Sequence, residues 1–97
     1  MNGFTVNIYT YNCDSGHCQN IQFRIGLDLR DGTTLERVNE YNSTKIYGTA
    51  WMDDENDPWL DLLHNVADGV TAENLKYTVE RFEQATQTFA DHFKFRK

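Results

Sequence analysis

The stretch Gly32-Thr-Thr-Leu-Glu-Arg-Val-Asn-Glu-Tyr-Asn-Ser-Thr-Lys-Ile-Tyr-Gly-Thr-Ala-Trp-Met-Asp-Asp-Glu-Asn-Asp-Pro-Trp-Leu-Asp-Leu-Leu-His-Asn-Val-Ala-Asp-Gly-Val-Thr-Ala-Glu-Asn-Leu75 decides the fold. Thr33 is a fitting N-cap, and Glu36 three residues on completes a capping box. Leu35, Val38 and Tyr41 or Asn42 then form one narrow apolar stripe, so a short helix is expected. Ile46 to Met52 and Trp59 to Val66 read as the two strands of a hairpin around Asp53-Asp54-Glu55-Asn56-Asp57-Pro58. A proline at the start of a strand removes a donor only where the ladder begins. Asp68-Gly69 closes the unit. Val70 and Leu75 bracket Thr71 as a hydrophobic staple and open a second helix.

Outward toward the C-terminus, Leu75, Val79, Phe82, Phe89 and Phe93 follow helical spacing, with Thr86 filling the gap in the stripe. Outward toward the N-terminus lie two alternating segments. Phe4, Val6 and Ile8 oppose Thr5, Asn7 and Tyr9 within Phe4 to Asn12. Ile21, Phe23, Ile25, Leu27 and Leu29 oppose Gln22, Arg24, Gly26 and Asp28. Period two over such lengths marks half-buried strands. Asp14-Ser15-Gly16-His17 between them is turn chemistry. The order ββαββα predicts an α+β domain: an antiparallel sheet of two β-hairpins with a short helix and a long C-terminal helix on one face. A single domain over residues 1–97 is expected.

Composition narrows the function. The formal charge of −6 opposes nucleic-acid binding, which needs a basic surface to release counterions. No apolar run approaches membrane-spanning length. The 13% aromatic content with a single proline argues against disorder. His17, His64 and His92 are scattered, and no serine or cysteine stands in a recognisable order with a histidine and an acid. His64 shares a strand face with Leu60 and Leu62 and reads as a hydrogen-bonded histidine at the core's edge. The acidic turn at Asp53 to Asp57 fails the calcium-loop pattern, because proline stands at the sixth position and histidine at the twelfth. It reads as a solvated turn. No phosphate-binding glycine loop is present. Asn42-Ser43-Thr44 fits a glycosylation sequon, a weak three-residue match. No catalytic residue, cofactor or metal is therefore expected.

Two features remain. If Cys13 faces Cys18, then Ile8 faces Phe23, Val6 faces Ile25 and Phe4 faces Leu27. That register gathers the apolar partners on one face, whereas a one-residue slip scatters them. The pattern favours a structural Cys13–Cys18 disulfide. A zinc site would need His17 and a further ligand at an uncommon spacing. A redox pair would need Cys-x-x-Cys at a helix N-terminus. Two free thiols in a reducing compartment are the plain alternative. The second feature is the sheet face turned away from the helices, expected to carry Tyr9, Tyr11, Tyr47, Trp51, Trp59 and Leu63. Such a surface reads as a candidate interface. The rings could instead cover each other as cross-strand pairs, or be covered by further chain.

The central block resembles the YbjN family of bacterial domains. The resemblance rests on Leu35-Glu36-Arg37-Val38-Asn39-Glu40-Tyr41-Asn42, Lys45-Ile46-Tyr47-Gly48-Thr49-Ala50, Asp53 to Asp57, Pro58-Trp59-Leu60 and Gly69-Val70-Thr71-Ala72-Glu73-Asn74-Leu75. Tyr11-Asn12-Cys13 and Cys18-Gln19-Asn20-Ile21-Gln22-Phe23 resemble its cysteine-bearing members. The resemblance implies a type III secretion chaperone-like fold and a role in sensory transduction. Family domains begin with a further helix and strand that this chain lacks, as a fragment, a natural short form or a shifted start would. Their absence is expected to leave an edge strand or apolar face open, favouring dimerisation. The cysteine-bearing members often carry leaders, so the resemblance implies the bacterial periplasm where a leader has been removed and the cytoplasm otherwise.

Three functions follow. The first is a non-enzymatic protein-interaction domain, a regulator or chaperone-like adaptor, with a protein partner that is most simply a second copy. The alternative is a small-molecule-sensing module with its ligand between sheet and helices. The third, an enzyme, would need a titratable pair assembled only by the fold.

Overall fold

The computed structural model describes residues 1 and 3–95, and the expected domain span of 1–97 runs past them at its C-terminal end. The elements are β1 (Asn7–Asp14), β2 (His17–Gly26), α1 (Leu35–Thr44), β3 (Thr49–Met52), β4 (Pro58–Asn65) and α2 (Ala72–His92). The four strands form one antiparallel sheet in the order β1-β2-β4-β3. The expected ββαββα order of an α+β domain is what the chain adopts.

The sheet's inner face carries Phe23 and Ile25 of β2, Ala50 of β3 and Leu60 of β4. They join Leu27, Val38, Tyr41, Phe82, Ala85, Phe89 and Phe93 in one buried cluster. Tyr41 of α1 meets Phe89 edge-on with centroids 5.4 Å apart. Burial pushes its hydroxyl pKa up to about 12, because an apolar site disfavours the phenolate. Thr86 is buried in the α2 stripe, its hydroxyl donating to the Glu83 carbonyl at 2.6 Å. A helical threonine can thus fill an apolar stripe by returning its proton to its own backbone.

The β1–β2 register runs Ile8 opposite Phe23 through Cys13 opposite Cys18, as the alternation requires. Phe4 and Val6 precede β1, so their expected pairings lie outside the ladder. Ser15 (φ 51°) and Gly16 (φ 83°) form the turn, the two-residue primed type that matches strand twist. The Cys13 and Cys18 sulfurs stand 2.06 Å apart, at bonding distance. Reducing this cross-link is expected to lower stability by about 2 kcal/mol, the loop-closure entropy of so short a loop. Intact-mass analysis after alkylation of unreduced protein checks the bond; two alkylated cysteines would contradict it.

Local signals misplace three details. Thr34, not Thr33, caps α1, accepting from the Arg37 amide at 3.3 Å. Thr33 is held outside the helix because its amide donates to the Asn56 carbonyl at 2.7 Å. Strand β3 starts at Thr49 rather than Ile46. Gly48 adopts φ 96° just before it, and the chain leaves the extended conformation there. The Asn42 side chain is not free for a glycan. Its amide nitrogen donates to the Ala50 carbonyl at 2.9 Å, and its oxygen accepts from the Ala50 amide at 2.7 Å. Asn42 so closes the free edge of β3, leaving β1 as the open edge.

Candidate interface on the outer sheet face

Pairing of β2 with β4 sets Arg24 opposite Asp61, and pairing of β4 with β3 sets Trp59 opposite Trp51. Alternation turns all four side chains away from the helices. The Arg24 guanidinium donates to both Asp61 oxygens, Nε at 2.7 Å and Nη2 at 2.9 Å. Those hydrogen bonds, led over the partial desolvation, hold its pKa above the ordinary arginine value. Its central carbon lies 5.3 Å from the Tyr9 ring and 5.3 Å from the Trp51 ring, a cation–π arrangement on both sides. Gln22 extends the network, accepting from the Tyr11 hydroxyl at 2.6 Å and donating to Asp61 at 3.4 Å.

The two indoles stack at 5.5 Å with an interplanar angle of 14°. Trp59 reaches this position across Gly26, its ladder partner. A Cβ on Gly26 would meet the Trp59 ring at 2.7 Å, so the bare backbone is the seat of the ring. The Trp59 indole nitrogen donates to Asp53 Oδ2 at 2.7 Å. Asp53 Oδ1 also accepts from the Glu55 and Asp57 amides, each at 2.9 Å. The acidic turn is therefore a hydrogen-bonded clamp rather than merely solvated. Among the described residues no group of three or more histidines, cysteines or acids is placed to hold a metal ion.

The Trp59 indole N–H, and after it the Asp57 amide, hold the Asp53 carboxyl below its ordinary pKa. A depressed folded pKa gives stability above the unfolded value, about 3.9, that is lost as pH falls through the folded one. Below pH about 4 the protein is expected to weaken, with Trp59 fluorescence changing in step. Asp53→Asn is expected to flatten that dependence. Urea unfolding across the acid range checks it; parallel curves for both proteins would contradict the clamp.

The structure gathers five of the six expected interface residues. Tyr9, Tyr11 and Leu63 stand exposed, Leu63 most of all at 58%. Trp51 and Trp59 are half-buried in a separate row of the same face. Tyr47 is the correction. It lies before the left-handed Gly48, and its hydroxyl is 3.5 Å from that of Tyr77 on α2. It belongs to the helix side. Sequence reasoning missed Arg24 and Asp61, since only the long-range pairing of β2 with β4 brings them together.

Fold and face together define an α+β domain that builds an ordered aromatic surface on an open-edged sheet. The chain belongs to the YbjN family: the model of that family, described as "Putative bacterial sensory transduction regulator", matches residues 1–95. No curated protein and no solved structure matches it.

Proposed function

We propose that the domain is a non-enzymatic protein-interaction module, a regulator or chaperone-like adaptor that works as a homodimer through its outer sheet face. The family description supports a regulatory role in general terms. The observation that carries the reading is the composition of the face. Tyr9, Tyr11 and Leu63 are exposed on it, and Trp51 and Trp59 are half-buried in a separate row of the same face. Among the described residues, the charged side chains that the strands place there are Arg24 and Asp61, and they neutralise each other. An acidic chain of charge −6 resists self-association wherever its acids meet. Away from the corner where the Trp59 indole holds Asp53, this face lowers that obstacle. Beside it, every residue of β1 is exposed, including Ile8 at 60% on the inner side. The strand carries no lysine or proline to blunt its edge. A two-fold axis at such a patch gives a closed dimer.

Tyr9 and Leu63 flank Gln22 in one cross-strand row, so they test the face without touching the indole stack. The parent is expected to sediment as a dimer and the folded Tyr9→Ser/Leu63→Ser variant as a monomer. A variant that stays dimeric with unchanged affinity would count against the face.

A second reading, a small-molecule sensor, has one observation in its favour. A cleft of about 270 Å³ opens between β4 and α2, lined in part by polar side chains.

A further inference from the structure

The cleft between β4 and α2 lies on the opposite side of the sheet from the proposed interface. Its floor is Leu62 and His64, inner-face residues of β4. Its wall is Tyr77, Thr78 and Arg81, which share one side of α2 at helical spacing. Tyr47 also lines it. His64 is already engaged, with Nε2 2.8 Å from Asn74 Oδ1 and 3.5 Å from Thr78 Oγ1. The hydroxyls of Tyr47 and Tyr77 stand 3.5 Å apart, the outer limit of a hydrogen bond. Either is free to turn its proton toward a third group.

Two buried donors have no hydrogen-bond partner among the described residues, Trp51 Nε1 on the outer face and Arg81 Nε beside this cleft. The Arg81 guanidinium lies 5.2 Å from the Tyr77 ring centre. No carboxylate pairs with it among those residues either. Arg24, by contrast, spends Nε and Nη2 on both oxygens of one aspartate. A buried donor without an acceptor is costly, and each such group in a folded protein calls for an explanation. The arginine fork matches a planar carboxylate in a bidentate geometry.

We infer that this cleft is a binding site for a small monocarboxylate with a flat apolar body. The carboxylate takes the terminal Nη pair of the Arg81 guanidinium, since the covered Nε is out of a ligand's reach, and a tyrosine hydroxyl; the body lies against Leu62 and the Tyr77 ring. One unpaired cation suits a monoanion. A dianion would leave charge unmatched in a protein of charge −6. The volume of about 270 Å³ lies at the lower edge of ligand pockets, which fits a ligand of one ring. Such a ligand would tie β4, α2 and Tyr47 together. The site is independent of the sheet-face reading, and either could fail alone.

The test is titration of ¹⁵N-labelled protein with benzoate, following the Arg81 Nε–H resonance. Benzamide serves as the neutral control and inorganic phosphate as the dianion. Benzoate is expected to shift that resonance saturably, and benzamide and phosphate to bind far more weakly. Arg81→Met is expected to lose about tenfold or more in affinity, as the loss of a charge-assisted pair implies. Tyr77→Phe removes one hydroxyl with little change in packing, and a several-fold loss is expected. It keeps the test sound should Arg81→Met fail to fold. No saturable shift at Arg81, equal binding of benzamide or phosphate, or unchanged affinity in the folded variants would each overturn the assignment.

Discussion

Phe82→Ala is expected to be among the most damaging single changes in the chain, costing about 3–5 kcal/mol. Phe82 is wholly buried, with its ring 5.5 Å from that of Phe23 on β2. It is the point where α2 meets the centre of the sheet. Truncation loses the transfer energy of the ring and leaves a cavity that the surrounding rings cannot collapse into without moving α2 off β4. A small domain has about 5–15 kcal/mol in total, so much of the fold's margin would go. Thermal unfolding with the cysteines oxidised checks it. A melting temperature within about 2 °C of the parent would contradict the packing, since 1 kcal/mol alone moves a domain of this size by more.

Gly26→Ala is the second. One methyl group would sit 2.7–2.8 Å from three ring carbons of Trp59. The ring cannot simply turn aside. Its nitrogen is tied to Asp53 and its far face is stacked on Trp51. Overpacking of this kind costs about 1–3 kcal/mol. The more telling result is spectroscopic. The coupled signal of the stacked indoles in near-ultraviolet circular dichroism should weaken or vanish. Its survival in a folded variant would mean that Trp59 does not need the bare backbone beneath it.

Both outcomes depend on different amounts of sequence information. The face of α2 that buries Phe82 is written locally in the spacing of Leu75, Val79, Phe82, Phe89 and Phe93, and its cap is Thr71 as expected. The β1–β2 register is also local, because hydrophobic alternation and the turn both fix it. The seat of Trp59 on Gly26 is not local. It needs β2 and β4 to be neighbours, a pairing between segments more than thirty residues apart. The same pairing creates the Arg24–Asp61 ion pair at the centre of the face. Before it is known, Arg24 is only a polar residue in an alternating strand. Tyr47 departs from its expected face for the opposite reason. Strict alternation from Trp51 back to Tyr47 assumes an extended chain through Gly48, and a left-handed glycine ends that assumption. Thr33 fails as a cap because a backbone hydrogen bond from the distant Asn56 outranks a local preference. Glu36 still lies in the first turn of α1, where the helix dipole favours an acid.

The central claim is that the face around Arg24 is where two copies meet. Mixing ¹³C-labelled and unlabelled protein and recording isotope-filtered nuclear Overhauser effects tests it most directly. The account predicts intermolecular contacts from Tyr9, Tyr11 and Leu63 to the unlabelled copy. Intermolecular contacts confined to exposed α2 residues such as Lys76 and Glu80 would place the dimer on the helices and contradict it.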